Sequence, residues 1–217
     1  MGADLMDALE RIKKAKLVAI MRGVPEDRVL ETVEARKRGG VSCCEVTFDQ
    51  RSADLSYTAL AIECIRRAFG DEITVGAGTV LTAEQAELAF DAGAVYIISP
   101  DVNAEVIKRT KELGMVSIPG AMTPTEITAA SRYGADIVKV FPAGELGAGY
   151  IRAVSTPISH IPLLAVGGIG VKNARNFLEA GCIGVGVSST IVNRALIDAG
   201  DFDAITRASR EYIEAIG

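Results

Sequence analysis

Lys139 stands inside an otherwise apolar run, Asp136-Ile137-Val138-Lys139-Val140-Phe141-Pro142-Ala143. Short runs rich in β-branched residues and bounded by Gly and Pro read as buried strands, and a parallel strand is covered on both faces. Burial disfavours the ammonium form and lowers the amine pKa, which turns a lysine into a nucleophile towards a carbonyl carbon. The same position also suits a lysine that pairs with a buried carboxylate or snorkels at a strand end. Glu45, in Cys44-Glu45-Val46-Thr47, is an inward-facing acid on a second apolar run. It could neutralise Lys139, or act as a general base whose pKa burial raises, the two groups then titrating as a pair. An inward acid and an inward amine at one end of a fold point to a site more strongly than either does alone.

The elements that must position these residues follow from periodicity. Asp4 to Lys16 carries Leu5, Ala8, Leu9 and Ile12 at helical spacing and predicts an amphipathic lead-in helix. Eight apolar strands follow: Leu17 to Met21, Cys43 to Phe48, Ile73 to Val75, Val95 to Ile98, Met115 to Ile118, the lysine stretch, Leu163 to Val166 and Ile183 to Val187. Between them lie helical or turn segments, opening at Pro25, near Ala53, after Thr82 as N-cap and near Asn103. Thr123, Pro124 and Glu126 form a capping box with proline at the first helical position. Two helices close the chain, over roughly Ser189 to Ala199 and Phe202 to Ile216. Eight strand and helix units in 217 residues predict a single-domain (β/α)8 TIM barrel over residues 1–217. A doubly wound sheet is disfavoured because the first strand runs into Met21-Arg22-Gly23-Val24-Pro25, not a GxGxxG turn.

Active sites of this fold lie at the C-terminal ends of the strands. Arg22, Thr47, Thr79, Ser99, Gly167, Gly168, Gly186, Ser188 and Ser189 fall there together with Glu45 and Lys139. The last two strands are the usual phosphate positions, where glycine amides and a helix N-terminus donate to an anion. Each glycine by itself reads as a tight turn; the pair of loops together favours a phosphate.

Composition limits the remaining classes. A net charge of -5 with no Lys/Arg block gives no electrostatic case for nucleic acid or anionic membrane. Cys43, Cys44, Cys64 and Cys182 make no CxxC pair and read as reduced core residues of a cytoplasmic protein. The N-terminus carries acids and no apolar signal core, and no segment approaches membrane-spanning length. His160 is the only histidine, expected on the surface, which removes His-rich metal sites. Met115 and Met122 read as core, and Arg36, Lys37 and Arg38 as a solvated helix end.

Taken in order, Ala19-Ile20-Met21-Arg22-Gly23, Glu45-Val46-Thr47, Gly76-Ala77-Gly78-Thr79-Val80, Ser99-Pro100, Pro119-Gly120, Thr123-Pro124-Thr125-Glu126, Lys139-Val140-Phe141-Pro142-Ala143 and Gly167-Gly168-Ile169 span essentially the whole chain. In that order and spacing the chain resembles the 2-keto-3-deoxy-6-phosphogluconate aldolase and 4-hydroxy-2-oxoglutarate aldolase family. The resemblance implies a small class I aldolase barrel, a homotrimer, that yields pyruvate and an aldehyde with no metal or other cofactor. It implies Lys139 as the Schiff-base amine, Glu45 as proton shuttle, Thr47 and Thr79 near the substrate, Phe141 as a wall and Pro100 as the pocket floor. Gly167, Gly168, Gly186 and Ser188 would receive the phosphate.

Two departures bear on substrate. Some members place an arginine four residues after the glutamate to clamp a carboxylate, where this chain has Asp49. Arg22 is then the expected clamp, with Arg51 as a weaker candidate. Many members have Pro-Thr where this chain reads Ala165-Val166, so the anion site loses a hydroxyl. An unphosphorylated acid or the phosphogalactonate epimer becomes a possible substrate. From other classes, a phosphate-binding barrel epimerase or isomerase would not need Lys139 as nucleophile, and a non-catalytic barrel would need neither residue.

Overall fold

The apolar runs pair as parallel strands in the computed structural model, which describes residues 2–188 and 193–217, with side chains from residue 7 onward. The strands are β1 (Leu17–Met21), β2 (Cys43–Thr47), β3 (Thr74–Gly78), β4 (Tyr96–Ile98), β5 (Val116–Ile118), β6 (Gly120–Ala121), β7 (Val138–Val140), β8 (Leu163–Val166) and β9 (Gly184–Val187). Their order in the sheet is β5, β4, β3, β2, β1, β9, β8, β7, β6. β5 is the fifth expected strand, and β6 is a short strand not expected from the sequence, set off from it at Pro119, which has no N–H to give a ladder. β5 pairs with β4 and β6 with β7. The Asp136 N–H also donates to the Ser117 carbonyl at 3.0 Å, so the sheet curls into the predicted (β/α)8 barrel.

Helices α1 (Gly2–Ala15), α2 (Val29–Arg38), α3 (Ser56–Phe69), α4 (Ala83–Asp91), α5 (Ala104–Glu112), α6 (Pro124–Arg132), α7 (Ala143–Ser155), α8 (Val171–Glu179), α9 (Arg194–Ala199) and α10 (Phe202–Ile216) complete the units. Local signals set several of their ends. Thr82 caps α4 by accepting from the Gln85 N–H at 3.2 Å, and Thr123, Pro124 and Glu126 form the expected capping box on α6. The expected helix at Ser189 to Ala199 is α9 from Arg194; residues 189–192 lie outside the described residues.

Strict alternation divides the core. Val18, Ile20, Cys43, Ile98, Val116, Ile118, Ile137, Leu164 and Val166 fill the lumen, joined from below by Ala8 and Ile12 of α1. Their sequence neighbours, such as Cys44, Val46, Val138 and Val140, pack outward under the helices. A parallel strand covered on both faces has this pattern.

Four local expectations differ from the structure. β3 runs on through Gly76 and Gly78, paired with β2, and glycine there leaves room for larger neighbours: a Cβ on Gly76 would lie 2.3 Å from the Tyr96 ring. Pro25 opens a single 3-10 turn at Glu26–Arg28 before α2 starts. Met122 is 46% exposed, not core, since it precedes the α6 cap with its N–H held by Glu126 Oε2 at 2.8 Å. Arg36 is only 1% exposed and so is not part of a solvated helix end. It continues the buried Val29, Thr32, Val33 stripe of α2 at helical spacing. Cys43, Cys44 and Cys182 are buried and all four thiols are free, while His160 sits exposed in a turn.

Candidate active site

Lys139 is the centre of β7, between Val138 and Val140, whose side chains pack outward. Alternation therefore directs the lysine into the lumen, where it is 7% exposed. The start of this strand is fixed by Asp136, whose carboxylate accepts from Lys111 Nζ at 2.6 Å and from the Ser117 N–H at 2.8 Å. Glu45 occupies the same inward position on β2 and is 2% exposed. Its carboxylate lies over Gly78: a Cβ there would stand 1.6 Å from Glu45 Oε1. The glycine is thus required by close approach, not by a turn.

Both side chains border one cavity of about 480 Å³ at the C-terminal end of the strands, which Arg22, Thr79, Pro100, Phe141, Gly167, Gly168, Gly186 and Ser188 also line. The Phe141 ring centroid is 4.9 Å from Lys139 Nζ, so the ring's negative face meets the amine. Among the described residues no hydrogen bond or ion pair joins Lys139 to Glu45, and both polar ends remain directed at the cavity. Burial pushes the Glu45 carboxyl up, against the opposing pull of Lys139 and Arg22. Burial pushes the Lys139 amine down; Glu45 opposes that shift and Arg22 adds to it. A carboxyl and an amine moved towards each other's range are the pair that proton transfer and amine addition need.

Arg22 leaves the end of β1 and donates from Nη2 to Thr79 Oγ1 at 3.0 Å. Arg51 lines a different, adjoining cavity of about 410 Å³ that shares only Arg22 with the first. Its guanidinium is taken up by Asp49, with contacts of 3.0 Å and 2.9 Å, and that partner holds the Asp49 carboxyl down to about 2. Thr47 also lines this second cavity, and its hydroxyl donates to the Met21 carbonyl at 3.3 Å. Of the residues expected at the substrate, Thr47 and the weaker clamp candidate Arg51 are not brought to the Lys139 cavity.

The glycine loops close the far side. Gly167 and Gly168 have φ of 89° and 72°, a conformation that glycine adopts without steric cost. The Gly167 carbonyl accepts from the Gly144 N–H at 2.7 Å, a backbone approach that a side chain at Gly144 would prevent. The sequence does not single out Gly144 or the apolar wall that Ile20 and Val166 give the cavity, although Val166 is expected beside the anion site for its missing hydroxyl. Strand alternation is the signal that finds the latter two. No comparable local signal marks Gly144.

A family model for KDPG and KHG aldolases matches residues 8–208. The 2-dehydro-3-deoxy-6-phosphogalactonate aldolase of Escherichia coli is 35% identical over 82% of this chain and 85% of its own. The 2-dehydro-3-deoxy-phosphogluconate aldolase of Treponema pallidum is 33% identical over 98% of both chains. A solved structure named "Native KDPGal structure" superposes with a TM-score of 0.82 at 32% identity, covering 92% of this chain and 93% of that one. The KDPG aldolase of Legionella pneumophila, solved with pyruvate captured as a covalent carbinolamine, has a TM-score of 0.82 at 25% identity, over 94% and 96% of the two chains. With the barrel and both cavity-facing residues in hand, these similarities make this chain a member of the KDPG and KHG aldolase family, a group of carbon-carbon lyases.

Proposed function

We propose that the protein is a class I aldolase that cleaves 2-keto-3-deoxy-6-phosphogluconate to pyruvate and D-glyceraldehyde 3-phosphate, 4-hydroxy-2-oxoglutarate to pyruvate and glyoxylate, or both. One observation carries the reading: the Lys139 amine and the Glu45 carboxyl, both buried, border a single cavity. The Lys139 amine adds to the C2 ketone, water leaves, and a protonated imine remains. When the C3–C4 bond breaks, its electron pair flows to the iminium nitrogen while the C4 hydroxyl gives its proton to Glu45. Proton return to C3 of the enamine and hydrolysis then release pyruvate and the free amine. Acid-base help of this kind contributes about 100- to 10,000-fold. Arg22 and Thr79 hold the carboxylate, Pro100 and Phe141 shape the pocket, and Gly167, Gly168, Gly186 and Ser188 receive the phosphate. Arg51 is engaged by Asp49, which favours Arg22 for the clamp.

A second substrate has its own support. Val166 presents no hydroxyl to the cavity, and the phosphogalactonate aldolase of E. coli is similar over most of the chain. The 4-epimer is therefore the alternative donor, and cleavage rates measured on both epimers decide between them. The reading includes a homotrimer in the cytoplasm, in keeping with four free thiols; sedimentation should give three chain masses.

The test of the activity is borohydride reduction in the presence of pyruvate. Pyruvate should become attached to the Lys139 peptide and to no other, and Lys139→Met should abolish the adduct. An unmodified Lys139 together with activity lost to a chelator would favour a metal-dependent epimerase or isomerase.

A further inference from the structure

Thr79 is held in an unusual backbone. Its φ is 56°, a left-handed conformation that a β-branched residue rarely adopts and that persists only where the surroundings impose it. Gly78 before it and Val80 after it are pinned to neighbouring strands, the first by accepting from the Phe48 N–H at 2.9 Å and the second by donating to the Ile98 carbonyl at 3.3 Å. The Thr79 carbonyl accepts from Gln50 Nε2 at 2.6 Å. Gln50 is exposed in the loop after β2, and its amide meets that of Gln85, a buried residue of α4. Gln85 Nε2 donates to Gln50 Oε1 at 3.1 Å, while Gln85 Oε1 accepts from the Leu81 N–H at 2.8 Å. The Leu81 contact fixes which end of the Gln85 amide is oxygen; that in turn fixes Gln50 and leaves its Nε2 to hold Thr79.

We propose that Gln50 and Gln85 are positioning residues for the carboxylate end of the substrate: their amide bridge holds Thr79 left-handed, so that the Thr79 hydroxyl keeps Arg22 aimed into the cavity. This rests on the aldolase reading above and on Arg22 as its clamp. The geometry runs without a gap from Leu81 to the Arg22 guanidinium, whose Nη2 donates to Thr79 Oγ1 at 3.0 Å. Because that hydroxyl oxygen accepts from Arg22, its own proton remains to donate to a bound carboxylate. A glycine at this position would adopt the conformation with no brace, but would supply no hydroxyl.

Removing the brace weakens carboxylate binding in ground and transition states alike, which raises the concentration of pyruvate required and leaves the turnover rate unchanged. Borohydride trapping of pyruvate, followed as a function of pyruvate concentration, reads both quantities. Gln50→Leu should raise half-saturation about tenfold, the size of one lost hydrogen bond, with the limiting rate within about twofold. In an Arg22→Ala background the same substitution should add clearly less than its full tenfold, because the part of its effect that acts through that guanidinium is already gone. Unchanged half-saturation, full additivity with Arg22→Ala, or a fall in the limiting rate alone would each overturn the proposal. If Gln50→Leu does not fold, Gln50→Glu serves instead: it keeps the acceptor for Gln85 and loses the donor to Thr79, so the same rise is required of it. Failure of the unaltered protein to trap pyruvate at any concentration is a failure of the aldolase reading itself, and removes this inference with it.

Discussion

Lys139 and Glu45 are coupled through charge, and the coupling has a sign that can be measured. Imine formation needs the free amine, so trapping with pyruvate and borohydride should speed up as pH rises through the Lys139 pKa. Burial lowers that pKa from 10.5, so the midpoint should fall below the ordinary lysine range. Glu45 opposes this shift by favouring the ammonium form, and Glu45→Gln removes the opposition. The midpoint should then move to still lower pH; an upward move would mean that the two groups do not face each other as described. The Glu45 carboxylate also depends on the bare backbone beneath it. Gly78→Ala introduces a methyl 1.6 Å from Oε1 and 2.3 Å from Cδ, so the acid must leave its place. Aldol turnover should fall about 100-fold or more with the barrel still folded, measured beside Glu45→Ala as the limiting case.

Among the elements, α2 contains a residue whose cost is structural. The Arg36 Nε, Nη1 and Nη2 atoms are buried and have no hydrogen-bond partner among the described residues. Burial holds this guanidinium down to about 10, so it stays charged at neutral pH, and the adjacent Cys44 thiol is itself pushed up to about 12. A buried charge without a partner costs more than an apolar side chain of similar length. Arg36→Met should therefore stabilise the fold by about 1 to 3 kcal/mol, and each kcal/mol raises Tm by about 2 to 4 °C in a domain of this size. Thermal unfolding at pH 7 checks it; a fall in Tm would mean that the guanidinium is stabilised where it lies. Arg36 also marks what could be read without coordinates. The period-2 pattern was enough to turn Lys139 and Glu45 inward, and the 3.6-residue stripe of Val29, Thr32 and Val33 reaches Arg36, although its charge points the other way. The Gln50–Gln85 bridge was not legible, because its partners lie 35 residues apart and meet only once β2 and β3 have paired. The same holds for Thr47, whose hydroxyl is engaged by the Met21 carbonyl of the neighbouring strand, 26 residues away in sequence.

At the level of the whole barrel, the two ends of the lumen perform different tasks. The polar cluster occupies the C-terminal mouth, while α1 lies against the other, where Ala8 and Ile12 join the apolar interior of Val18, Ile20, Tyr96, Ile137 and Leu164. In this architecture the C-terminal face carries chemistry and the N-terminal face carries stability. A parallel ring leaves its lower opening to be filled by side chains, and an amphipathic helix supplies them. Ile12 is 2% exposed, so truncating it opens a cavity inside a closed ring of strands that has little freedom to collapse. Ile12→Ala should cost about 2 to 5 kcal/mol. It should leave half-saturating pyruvate and the limiting trapping rate unchanged, since the lumen residues between it and Lys139 are held by their own strands. Denaturant unfolding and pyruvate trapping on the same preparation test both halves. Loss of trapping at a temperature where the variant is fully folded would show that packing strain passes up the lumen to the amine, and that the two mouths are not independent.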